Sequence, residues 1–255
     1  WVIRNNEIHN NATVGVKIYK ADNALIDSNN IHHNGQLGIS VAYSDGSRVE
    51  NNEIAFNNWL GEFSWGWEAG GTKFWKTDGL IVRNNWSHDN RGPGLWSDND
   101  NINILYEGNR VEDNYANGIF HEISYRAVIK DNTVTGNGFG WTQWLYGAGI
   151  LIAHSRDVEV TGNIVKDNRL GIIGIQQDRG NGAYGARELR NLYVHDNIIV
   201  ASEGSTGIGQ DIGSEAIFSE WNNRFESNTY YVNTDEYFRW RGKVFDFARW
   251  NEFGN

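Results

Sequence analysis

The sequence predicts an all-β solenoid, one chain wound into about nine to ten parallel coils and closed by an aromatic C-terminal cap. Three observations predict it. The first is a repeat: Asn-x-aliphatic-x-x-Asn recurs as Asn6–Asn11, Asn29–Asn34, Asn52–Asn57, Asn109–Asn114, Asn132–Asn137 and Asn163–Asn168, with Asn85–Asn90 as a variant and weaker copies opening at Asn197 and Asn228. From one leading asparagine to the next the steps are 23, 23, 33, 24, 23, 31, 34 and 31 residues, a period that marks stacked repeats. The second is that short runs rich in β-branched residues are punctuated by Gly and Asn, which suits strands and not helices. The third is a second phase marker, a glycine nine residues after the leading asparagine (15, 38, 94, 118) and fourteen before the next one (15, 38, 118).

One regular coil shows the reasoning. Asn109-Arg-Val111 reads as a strand, Glu112 to Asn117 as a turn, Gly118 to Glu122 as a second strand and Ala127 to Lys130 as a third. Three strands in about 23 residues bring the chain back one strand spacing, ~4.8 Å, along the axis. The asparagines then lie above one another as amide ladders that satisfy turn backbone groups. His9, His32, His33 and His88 sit beside them in the turns and read as solvated.

Composition bounds the function. The 255 residues carry a net charge of −10, which speaks against nucleic acid or an anionic membrane surface as the main partner. No apolar run approaches the ~18 residues that would span a bilayer, so no membrane insertion is expected. There is no Cys, which excludes disulfides and thiolate metal sites and fits a secreted or cell-surface protein. There is no Met either, and Trp1 already lies within a repeat, so a processed or excised part of a longer chain, with further domains as possible partners, is expected. The period assigns 1–255 to one domain, with coils over 1–232 and a cap over 233–255.

The run Gly-Ile-x-x followed by Val-x-x-Asn-x-Ile-x-x-Asn resembles the parallel β-helix repeats of pectate-lyase-like and NosD-like carbohydrate-active proteins, over roughly residues 2–232. The resemblance implies a right-handed parallel β-helix, in keeping with the handedness of parallel crossovers. The end of the chain, from Phe238 to Gly254, is similar to the tail that follows the last coil in many secreted β-helix proteins. The family hosts lyases, hydrolases, epimerases and inert spikes, so it implies fold more than activity.

The long steps locate a site. Gly71 and Gly149 keep the fourteen-residue distance to the next anchor, so the insertions 58–70 and 138–148 precede them in the same turn. They carry Trp59, Phe63, Trp65 and Trp67, then Phe139, Trp141, Trp144 and Tyr146. Insertions on one face of a solenoid usually mark its binding face. Two aromatic walls should therefore flank a floor made from positions +2 and +4 after each glycine: Lys73, Trp75, Trp96, Asp98, Phe120 and Glu122. A later insertion adds Gln176, Gln177, Asp178 and Arg179 at one end, with His154 nearby.

Flat rings with polar handles, beside carboxylates and amides in a groove along the stack, suit a polysaccharide or oligosaccharide. Asp98 and Glu122 occupy equivalent positions on adjacent coils, which places them ~5 Å apart, the spacing of a retaining glycoside hydrolase. His121, formally inward, reads either as a core histidine or as an acid/base. Lys73 is the candidate base for an alternative reading as a uronate lyase. No cofactor is required; Asp98-Asn99-Asp100-Asn101 could offer oxygens to calcium without the spacing of a recognised loop. A non-catalytic glycan-binding or fibre module remains a third reading. The coil from Gly94 is one residue longer than its neighbours, so a bulge is expected just past Asp98.

Overall fold

In the computed structural model, which describes residues 1–254, the chain forms three long parallel sheets that run side by side along one axis. Among the described residues they contain nine, nine and ten strands. Asn255, the last residue of the expected cap, lies outside the described residues. Successive strands of a coil go to successive sheets: Arg110–Glu112 to the second, Ile119–Glu122 to the third and Ala127–Lys130 to the first.

The asparagines make the turns repeatable. Asn132 Oδ1 accepts from both the backbone N–H and the side-chain Nδ2 of Asn109, each at 2.9 Å, while Asn109 Nδ2 also donates to the Val82 carbonyl at 2.9 Å. The same link joins Asn85 to Asn109 and Asn132 to Asn163. A second ladder runs through Asn90, Asn114 and Asn137. Residues just before the first ladder, such as Asn51, Asn84, Gly108 and Asp131, adopt left-handed backbone, which explains their restriction to Asn, Asp, Ser and Gly. Gly118 has a different cause. A Cβ there would stand 2.6 Å from the Gly149 carbonyl oxygen and 2.7 Å from Val134 Cγ1, so close coil stacking requires its absence.

Inside the coils, Ile, Val and Leu from all three sheets form a continuous core that includes Leu95, Ile119, Val111 and Ile129. Polar residues also face inward. His121 is buried, with Nδ1 2.7 Å from Ser97 Oγ and Nε2 3.1 Å from the Tyr125 carbonyl. At the C-terminal end, Phe238–Trp240 joins the third sheet and pairs antiparallel with Lys243–Phe245, and the helix Phe247–Glu252 follows. Trp240 and Trp250 from this segment pack at 5.5 Å and meet Phe225 of the last coils.

Candidate active site

The third sheet carries the site. Leu95–Asp98 pairs in parallel with Ile119–Glu122, and Asp98 is the register partner of Glu122. The additional residue of the Asp98 coil is absorbed just beyond that pair, where Asn99 and Asp100 are both left-handed, so the carboxylates stay aligned. Both lie at the +4 position and face outward into a cleft of about 380 Å³ lined by Trp67, Trp75, Trp96, Lys73 and Arg179 among others.

Each carboxylate has its own cation. Lys73 Nζ lies 2.9 Å from Asp98 Oδ2, and Arg179 Nη1 lies 3.2 Å from Glu122 Oε1. Lys73 is further held by the Trp67 carbonyl and stands 3.7 Å from the centroid of the Trp96 ring. Asp98 Oδ1 is buried and has no hydrogen-bond partner among the described residues. Burial raises the Glu122 carboxyl to about 7, reinforced by the neighbouring Asp98 charge and opposed by Arg179 and Lys73. The pair therefore consists of one carboxylate tethered through a single oxygen and one carboxyl that holds its proton near neutrality.

The aromatic insertions do not stand as two open walls. They fold over the floor. Trp65 of the first meets Trp141 of the second at 4.8 Å, with Tyr115 at 5.7 Å from Trp65. Trp141 stacks on Tyr146 at 4.2 Å, and both rings abut Phe120. Phe120 is thereby fully buried and Trp96 nearly so, within a second apolar cluster outside the coils that also holds Leu145, Leu151 and Ile173. The expected binding role of Phe120 is corrected accordingly, while Trp141 and Tyr146, packed over it, stay half-buried: sealing apolar surface from water outweighs leaving the Phe120 ring free. Trp65 belongs to this closure as well. Trp144 lies over Gly209 on a later coil, outside the cleft lining.

What the closure leaves open is the strip at the +4 column, overhung by the short helix Trp65–Glu68, where Trp67 is 77% exposed. Trp67 and Trp75 remain in the lining, with Trp96 beneath the Lys73 ammonium, joined by Glu68 and Asn99, which periodicity had not singled out. Asp178 is exposed and lines an adjoining cleft with Gln177, Arg179, Asp211 and Ile212.

Three further expectations are corrected by burial. His121 is directed into the core, where burial pulls it down to about 4, so it is a neutral, satisfied interior residue. His154 is fully buried, and burial followed by the Arg179 charge holds it at about 3. Gln176 is buried and structural, donating to the Gln177 and Arg187 carbonyls and accepting from the Leu189 N–H. The donor set for calcium does not fit either. Asp98 is engaged by Lys73, and Asp100 by Arg187 at 3.0 Å. Among the described residues no three His, Cys, Asp or Glu side chains are grouped to hold a metal.

Arg187 was not legible from the repeat. It reaches back across 88 residues to Asn99 Oδ1 at 3.0 Å, because the insertion after Leu170–Gln176 folds toward earlier coils.

Among the described residues no helix is long and apolar enough to cross a membrane. The curated proteins contain no match to the chain by sequence. Among solved structures, the A-module of mannuronan C-5 epimerase AlgE6 from Azotobacter vinelandii is similar over 94% of this chain and 62% of its own, with a TM-score of 0.69 and 20% identity. The AlgE4 A-module of the same organism is similar over 94% and 56%, with a TM-score of 0.58 and 17% identity. The periplasmic alginate epimerase AlgG is similar over 86% and 47%, with a TM-score of 0.54 and 16% identity. The chain thus spans less than two thirds of these structures, and at such identities the likeness is one of fold. A family model described as "Right handed beta helix region" matches residues 1–165, more than half of the chain. With its three parallel sheets and ladders of asparagine, this chain belongs to the right-handed β-helix family.

Proposed function

We propose that the protein is a carbohydrate-active enzyme that hydrolyses glycosidic bonds in a polysaccharide, with Asp98 and Glu122 as the reacting pair. One observation carries the reading: two carboxyl groups in register on adjacent strands, at the base of an indole-lined cleft, with the Glu122 carboxyl raised by burial and Asp98 held by Lys73. Adjacent parallel rungs are ~4.8 Å apart, which suits the ~5–5.5 Å of a double-displacement mechanism. The names of the structural neighbours, epimerases of mannuronan and alginate, are compatible with a polysaccharide ligand.

The steps follow from the geometry. Glu122, protonated near neutrality, donates its proton to the glycosidic oxygen as the C–O bond breaks. Asp98 Oδ1 attacks the anomeric carbon and forms a glycosyl ester, while Lys73 holds Oδ2 in place. Water, deprotonated by Glu122, then attacks the same carbon and frees Asp98. Arg179 positions Glu122, and Trp67 and Trp75 offer ring faces to the sugar.

A second reading, β-elimination on a uronate, has Lys73 and Arg179 in its favour as cations in the same cleft. Lys73 is, however, tied to a carboxylate, a carbonyl and an indole face, which suits a fixed charge better than a proton acceptor. Incubation with neutral and acidic polysaccharides separates the readings. Hydrolysis releases reducing ends without unsaturated products, and Glu122→Gln or Asp98→Asn lowers that rate by about 10²-fold or more with the fold intact. Unsaturated ends from an acidic polymer, or turnover unchanged in both variants, would contradict the assignment.

A further inference from the structure

Beside the cleft of the reacting pair, residues outside the aromatic insertions line a second concave surface. Tyr43, 36% exposed, packs against Trp75 of the catalytic cleft at 4.8 Å and against Tyr19 at 5.6 Å. Opposite stands Tyr184, 50% exposed, at the tip of a hairpin formed by Asn181–Gly182 and Gly185–Ala186. Between the two tyrosines lies a cleft of about 330 Å³, also lined by Asp45, Lys76 and Asp100.

The hairpin is firmly seated. Tyr125 OH donates to the Gly185 carbonyl at 2.8 Å, and the Tyr125 ring meets Tyr184 edge-on at 5.2 Å. Arg187 ties the hairpin base to Asp100, and a Cβ on Gly182 would stand 2.1 Å from Asp100 Oδ1. Tyr184 is thus presented at a fixed place, which lowers the entropic cost of a ligand stacking on it.

Charge in this second cleft is balanced. Asp100 is paired with Arg187, leaving two carboxylates near Tyr184, Asp45 and Asp78, and two ammoniums near Tyr43, Lys76 and Lys20, which lie 5.4 and 5.9 Å from its ring centroid. The two ammoniums are matched by the two carboxylates, so the surface offers no excess positive charge to a uronate. Two partly exposed tyrosine rings, hydroxyl-binding carboxylates and no net positive charge suit uncharged sugar units.

We propose that Tyr43 and Tyr184 form a stacking subsite for neutral sugar residues of an extended chain whose adjoining bond lies at Asp98 and Glu122. The placement of that bond rests on the glycosidase reading, but binding and turnover can be measured apart. Affinity electrophoresis uses gels containing a neutral β-glucan, galactomannan or xylan, and parallel gels with polygalacturonate or alginate. The wild-type protein is retarded by at least one neutral polymer, and retardation survives about 0.5 M NaCl because it does not depend on ion pairing. Tyr43→Ala with Tyr184→Ala weakens it about tenfold or more, as expected for two lost ring contacts. Circular dichroism of the double variant confirms that the coils remain folded.

No retardation by a neutral polymer, retardation only by acidic polymers that salt abolishes, or equal retardation of a folded double variant would each overturn the subsite. Retardation lost in the double variant without any reducing ends from wild type would keep the subsite and remove the hydrolase reading. Reducing ends with unchanged binding in the double variant would do the reverse.

Discussion

Glu122 shows how one residue records both fold and function. Its carboxyl is raised by burial and by Asp98 to about 7 from an ordinary value of 4.5. The folded state therefore binds this proton more tightly than the unfolded chain, and its stabilising contribution is full below about 4.5 and lost as pH rises through about 7. Urea midpoints measured from pH 4 to 8 are expected to fall across that window more steeply in wild type than in Glu122→Gln. Comparison with the variant removes the opposite trend of Asp27 and Glu107, which neighbouring donors hold below their ordinary range. Identical slopes would contradict the assignment of the proton. As the acid, Glu122 also implies an alkaline limb of kcat near the same pH. The alignment of Asp98 with Glu122 was legible in the sequence, since both stand four residues after a coil-opening glycine. Arg179 as the partner of Glu122 was not, because the separation of 57 positions crosses an insertion whose path no period describes.

At the scale of the element, the ladders explain why strands three and four residues long persist. Each buried asparagine replaces several turn hydrogen bonds that water would otherwise satisfy. Asn132 accepts from Asn109 and donates to the Tyr106 carbonyl and to Asn163. Asn132→Leu leaves these groups unmet, and a loss of about 3 kcal/mol in urea unfolding is expected. A loss below ~0.5 kcal/mol would mean that the ladder is ornamental to stability. Strand positions were legible because glycine and asparagine mark most corners, although those at 123–126 and 154–157 carry neither. The insertions were legible as to place but not as to course. Trp and Tyr at 59–67 and 139–146 could equally have stood apart as two walls, and ring-to-ring packing instead joins Trp65, Trp141 and Tyr146.

For the whole molecule, the outer cluster over Trp96 and Phe120 acts as a second core on the outer face of a solenoid that already has one. It fixes the helix Trp65–Glu68 over Lys73, so packing remote from the cleft sets the position of a charge within it. Trp141→Ala removes the ring that joins Trp65, Tyr146 and Phe120. It is expected to cost about 2 kcal/mol and to lower affinity for polysaccharide while leaving far-ultraviolet dichroism intact, since the sheets do not depend on it. Unchanged stability would show that the closure is loose. The aromatic tail closes the other end of the stack, where Phe238, Trp240 and Trp250 cover the last rungs, as the repeat pattern leads one to expect of a terminal cap.

All of this converges on how far apart two carboxyl groups sit, and stereochemistry reads that distance most directly. Proton NMR of the first-formed product from a susceptible polysaccharide reports whether the anomeric configuration is kept. Carboxyls on neighbouring rungs leave no room for a water between them and the sugar, so the account predicts retention. An initially inverted product would contradict it.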